Sequence, residues 1–151
     1  MFFFGWGQVN EMTSKTYTCQ YLSPNLILVT WHTYPTEDDE RHFLSEHRQQ
    51  LGTAQDPLYY ISDLRQGRII TVATLVRMSE LTQHPNYGGG TAFSSDPISK
   101  IMVSSFRRMS LDATTKTAMF ESLEEALGFL ESLKAGITDG IDWNAVASGP
   151  D

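Results

Sequence analysis

The sequence predicts an α/β fold: an N-terminal β-hairpin followed by alternating helices and strands, giving a mainly parallel sheet of about five strands with four helices. Three observations carry this. Two β-branched and aromatic runs, Tyr17 to Leu22 and Leu26 to Thr33, are separated by Ser23-Pro24-Asn25, which is turn chemistry. Short apolar runs then recur around Leu58–Ser62, Thr91–Phe93 and Thr117–Phe120. Each gap between them, and the stretch after the last, carries a segment with helical spacing, and three of these four segments open on a recognisable N-cap.

The elements follow in order. Thr36 is the first N-cap, with Glu37, Asp38 and Asp39 in the first turn, where negative charge suits the helix dipole. Phe43, Leu44, His47 and Leu51 recur at helical spacing, and Gly52 is the expected stop. After Asp56-Pro57 comes the strand Leu58 to Ser62, then a less regular helix between Ile70 and Gln83 with Leu75, Met78 and Leu81 on one face. His84-Pro85-Asn86-Tyr87 ends it, and Gly88-Gly89-Gly90 reads as a flexible connection into a strand over Gly89 to Ser95. Asp96-Pro97 starts the third helix as an acid N-cap followed by Pro at the first helical position. On it Ile98, Ile101, Met102, Phe106 and Met109 trace one apolar face. Ser122 and Glu125 form a capping box ahead of the stripe Leu123, Ala126, Leu127, Leu130 and Leu133. Repeated strand–helix units imply right-handed crossovers.

The chain divides into an N-terminal apolar tail or loosely attached strand over 1–16, an α/β domain over 17–134, and a C-terminal tail over 135–151 in which Ile137, Ile141 and Trp143 are the residues able to dock. With 151 residues, 40% apolar and 11% aromatic, it has enough apolar surface for one core without metal or disulfide. The single Cys19 has no internal partner, which fits a reducing compartment and a cytoplasmic location. A net charge of −7 argues against a nucleic-acid surface. No apolar run approaches the roughly 20 residues of a membrane span. Phe2, Phe3, Phe4 and Trp6 are costly to leave in water, at roughly 1.5–3 kcal/mol each. They are the expected contact of a homodimer.

The leading hairpin, the strand Leu58-Tyr59-Tyr60-Ile61 ending at Asp63, and the closing phrase Phe120-Glu121-Ser122-Leu123-Glu124-Glu125-Ala126-Leu127 resemble the SpoIIAA-like domains of the STAS superfamily, the anti-sigma-factor antagonist type. The resemblance covers Tyr17 to Lys134. It implies a small regulatory domain that binds protein partners. Antagonist-type members carry Asp-Ser-Ser-Gly or Asp-Thr-Ser-Gly after this strand, and a kinase partner phosphorylates the second hydroxyl residue. Here the stretch is Asp63-Leu64-Arg65-Gln66-Gly67, so the phospho-acceptor is missing and the Gly comes one position late.

The candidate site is therefore the loop after that strand. Asp63 either caps the turn by accepting backbone N–H bonds or contacts a partner. Arg65 and Arg68 flank Gly67 ahead of a helix, an arrangement able to take an anion, and Tyr87 is placed at the rim of a pocket. His42 and His47 are five apart and do not share a helical face; Glu46 lies four after His42, but a third metal ligand is missing. No cofactor or metal is expected. Without a nucleophile–base pair or a Gly-x-Ser-x-Gly elbow, the reading is a non-enzymatic module that binds a protein partner or itself. The alternative is a carrier of a small anionic molecule or lipid in a pocket between sheet and helices, lined by Met78, Met102 and Met109.

Overall fold

The computed structural model describes residues 11–13, 16–33, 35–67, 72–109 and 116–148, with only the backbone at 11–13, 72, 74, 75, 102, 103, 106, 107 and 109. Phe2, Phe3, Phe4, Trp6 and Arg68 lie outside the described residues, as do the side chains of Met102 and Met109.

The strands are β1 (Glu11–Thr13), β2 (Tyr17–Ser23), β3 (Leu26–Trp31), β4 (Leu58–Asp63), β5 (Tyr87–Phe93) and β6 (Thr117–Phe120). The helices are α1 (Glu37–Thr53), α2 (Val72–Ser79), α3 (Pro97–Met109), α4 (Leu123–Leu133) and α5 (Trp143–Ser148), with a 3-10 turn at Glu80–Gln83 after α2. All six strands form one sheet in sequence order. β1–β2–β3 are antiparallel, and β3 to β6 run parallel. The predicted α/β architecture is present, with β1 added at the edge and α5 added at the end.

Order dictates the layering. Three right-handed crossovers that step in one direction across a sheet put their helices on one face. α1 and α2 cover that face. The core beneath them joins Ile27, Val29 and Trp31 of β3, Leu58 and Tyr60 of β4, Phe43, Leu44 and Leu51 of α1, and Met78 and Leu81. α3 packs beside α2 and against β6. The opposite face carries Leu26, Leu28, Tyr59, Ile61 and Phe93, and must be closed by whatever follows β6. α4 supplies Ala126 and Leu130, and the segment after it supplies Ile137 and Val146. Residues 135–148 therefore dock onto the sheet, with Ile141 and Trp143 packed against the same cluster.

Local chemistry explains the boundaries. The Thr36 side chain accepts from the Asp39 N–H at 3.1 Å, and Ser122 Oγ accepts from the Glu125 N–H at 3.2 Å. Asp96 accepts from the N–H groups of Ile98 and Ser99. Two expectations change. α1 runs through Gly52 to Thr53, because a solvent-facing Gly inside a helix is weakening but not terminating. Gly88, Gly89 and Gly90 lie inside β5 and are no flexible connection. A Cβ at Gly88 would sit 2.5 Å from the Tyr59 ring, so the small residue lets the strand approach its neighbour.

Candidate functional site

β3 and β4 are paired on both sides and buried along most of their length, as suits strands within a parallel sheet. Their carboxyl ends bring three polar residues into one row across the sheet: Thr18 pairs with Thr30, and Thr30 with Asp63. Ligands of open α/β sheets bind beyond such strand ends.

Asp63 is 3% exposed. Its Oδ1 accepts from the Arg65 backbone N–H at 3.0 Å and from Arg65 Nε at 2.9 Å; its Oδ2 accepts from Arg65 Nη2 at 2.7 Å. Arg65 also donates from Nη1 to the carbonyl of Ala147 and from Nη2 to that of Val146, both at 2.9 Å. Four of its five N–H groups are thus committed within the chain, and the guanidinium lies 5.0 Å from the centre of the Phe93 ring. The hydrogen bonds to Asp63 raise the Arg65 pKa. This pair ties the end of β4 to the last carbonyls of α5, where a cation is favoured. Arg65, by sequence a candidate partner or anion contact, has its charge paired at its own loop by these bonds.

Gly67 is buried against the Thr33 backbone, and a Cβ there would lie 2.5 Å from the Thr33 carbonyl oxygen. It is a packing glycine in this loop. Tyr87 is not brought to the site. It pairs with Leu58 at the opposite end of β4 from Asp63, roughly 16 Å away along the strand. Its hydroxyl meets Thr117 Oγ1 at 3.0 Å, its ring stacks on Tyr60, and burial pushes its pKa up to about 12.

Sequence reasoning missed a buried polar chain on the helical side. His47 of α1 is fully buried, with Nε2 3.3 Å from Cys19 Sγ and Nδ1 3.3 Å from the Tyr60 hydroxyl. Burial lowers the His47 pKa to about 4 and raises those of Cys19 and Tyr60. All three are neutral near pH 7, so no thiolate–imidazolium pair forms and the thiol is not activated. The only advance sign was His47 on the apolar stripe of α1. His42 pairs with Glu46 at 2.6 Å on the surface. Among the described residues no three His, Cys, Asp or Glu side chains converge on a metal position.

Among the described residues, a cavity opens on each face of the sheet. One, of about 150 Å³, lies between the sheet and α1–α2, walled by Trp31, Phe43, Tyr60, Met78, Leu81 and Tyr87. The other, of about 510 Å³, lies on the opposite face between β2–β3, Asp63 and residues 140–146.

No family model matches the sequence, and no curated protein matches it. Solved structures do. An uncharacterized protein of the DUF3478 family from Shewanella loihica PV-4, with a SpoIIAA-like fold, aligns over 80% of this chain and 90% of its own at 10% identity, with a TM-score of 0.52. Apo-SiaC from Pseudomonas aeruginosa aligns over 74% of this chain and 94% of its own at 11% identity, with a TM-score of 0.49. A chain from the complex of the diguanylate cyclase SiaD with its activator SiaC, from the same organism, aligns over 74% of this chain and 98% of its own at 10% identity and the same TM-score. The hairpin, the parallel strands behind it and the alignment to the Shewanella protein together show that this chain has a SpoIIAA-like fold.

Proposed function

We propose that this protein is a small non-enzymatic regulatory module that works in the cytoplasm by binding another protein through the α2–α3 face. One observation carries the reading. Among the described residues the large apolar side chains left in water are Val76, Ile98 and Ile101, and all three sit on these two adjacent helices. Ile101 is 62% exposed. The Ile98 and Ile101 side chains of α3 are therefore not spent on the core, and apolar side chains left in water on neighbouring helices are the kind of surface a partner covers. Asp63 and Arg65 support the loop ahead of α2, and Arg68 belongs to the same loop by sequence. The phospho-acceptor hydroxyl is missing after β4, so the module is not switched by phosphorylation there. Self-association through Phe2, Phe3, Phe4 and Trp6 is part of the same reading.

A photocrosslinking residue at Ile101 in cells of the natural host tests this. The expected result is one dominant adduct, shared with a probe at Val76 and lost on Ile98→Asp. A second copy of the chain in that adduct identifies the homodimer. Adducts at Ile101 no stronger than those from exposed Glu124 on α4 would remove the proposal.

The second reading, a carrier, is favoured by the cavity under α1 and α2. At about 150 Å³ it matches a single-ring molecule rather than a lipid, since drug-sized ligands occupy roughly 300–1,000 Å³.

A further inference from the structure

The larger cleft lies on the face opposite the crossover helices, and its floor is the polar row at the strand ends. Thr30 stands in the middle of that row, between Thr18 and Asp63, with neighbouring strands about 4.8 Å apart on either side. Thr30 is 8% exposed and lines the cleft, and its hydroxyl forms no hydrogen bond among the described residues. Its hydroxyl is not sealed from water but opens on the cleft, where it can donate to or accept from whatever enters. Gln20, one row along β2, lines the same space. His32 is held by Thr18 Oγ1 at 2.7 Å from Nε2. The far wall is Ile141, Asp142, Ala145 and Val146.

The charge in this cleft decides what fits. Arg65, the cation bound to Asp63, is spent on that carboxylate and the α5 carbonyls. Asp142 stands at the wall, and no Lys or Arg is among the described lining residues. Carboxylate and hydroxyl oxygens outnumber N–H donors, so a phosphate or carboxylate would meet repulsion. At about 510 Å³ the cleft falls within the range of small-molecule sites.

We propose that this cleft binds a small hydrogen-bond-donating molecule, a polyol or an amine, seated on the Thr18–Thr30–Asp63 row with Thr30 as its central contact. The site is separate from the α2–α3 face, and either can fail without the other.

The test uses the full chain labelled with ¹⁵N, titrated with myo-inositol, ethanolamine and, as the anionic comparison, inorganic phosphate. Either of the first two is expected to shift the amides of Thr18, Thr30 and His32; which one does so distinguishes polyol from amine. Binding should weaken roughly tenfold in Thr30→Val and stay unchanged in Thr91→Val, a control on β5 outside the cleft. If Thr30→Val fails to fold, Gln20→Ala, at an exposed position, carries the same comparison. Phosphate shifting these amides as strongly, no shift with any probe at millimolar concentration, or equal binding in the threonine variants would each overturn the proposal.

Discussion

Acidification should weaken this fold through one imidazole. His47 is sealed between Phe43, Cys19 and Tyr60, and burial holds its pKa at about 4, against 6.5 for an exposed histidine. Between those values the unfolded chain binds a proton that the folded chain refuses, so stability falls as pH drops. At about 1.4 kcal/mol per tenfold, the full loss is roughly 3 kcal/mol, with about 2 kcal/mol gone by pH 5. That is a large share of the roughly 5–15 kcal/mol that holds a domain folded. Urea unfolding followed by tryptophan fluorescence at about pH 7 and about pH 5 measures the loss. The comparison is His47→Leu. That variant is weaker throughout, because Tyr60 and Cys19 lose their partner, but its stability should change less between the two pH values, by about the same 2 kcal/mol. Every other titrating group cancels in this difference. An equal loss in wild type and variant, or an imidazole that NMR shows titrating at the ordinary value, would refute the argument.

Two further substitutions probe the loop after β4. Gly67→Ala forces a methyl group to within 2.5 Å of the Thr33 carbonyl, and backbone must move, so we expect a loss of about 1–3 kcal/mol by urea titration. Arg65→Ala strands a buried carboxylate and frees the end of α5. The expected cost is roughly 3 kcal/mol, with faster hydrogen exchange concentrated over residues 137–148, and Arg65→Lys should not restore protection because an ammonium lacks the fork.

What could be read from the chain was what local chemistry writes. The caps at Thr36, Asp96 and Ser122 act over three residues, and the hairpin turn over two, so these elements were legible. Contacts between distant segments were not. Gly88 reads as a loop residue until the Tyr59 ring is known to lie over it. Ile98 and Ile101 share a helical face with Phe106, and spacing alone assigns all of them to the core; only the position of α3 at the side of the sheet leaves the first two in water. Arg65 meets α5 across 81 and 82 residues of sequence, a pairing that no pattern announces. The Thr18–Thr30–Asp63 row depends on strand register, and a slip of one residue would turn every one of these side chains to the other face.

The layering also sets an order of events during synthesis. The crossover side of the sheet acquires its covering as the chain emerges, since each helix there lies between the strands it spans. The other side is different: Leu28, Ile61 and Phe93 wait for α4, and closure needs Ile137 and Val146 as well. Until the ribosome has released those residues, a growing chain carries an uncovered apolar sheet surface. This is the interval in which a holdase would recognise it, and in which slowed translation after β6 would favour aggregation.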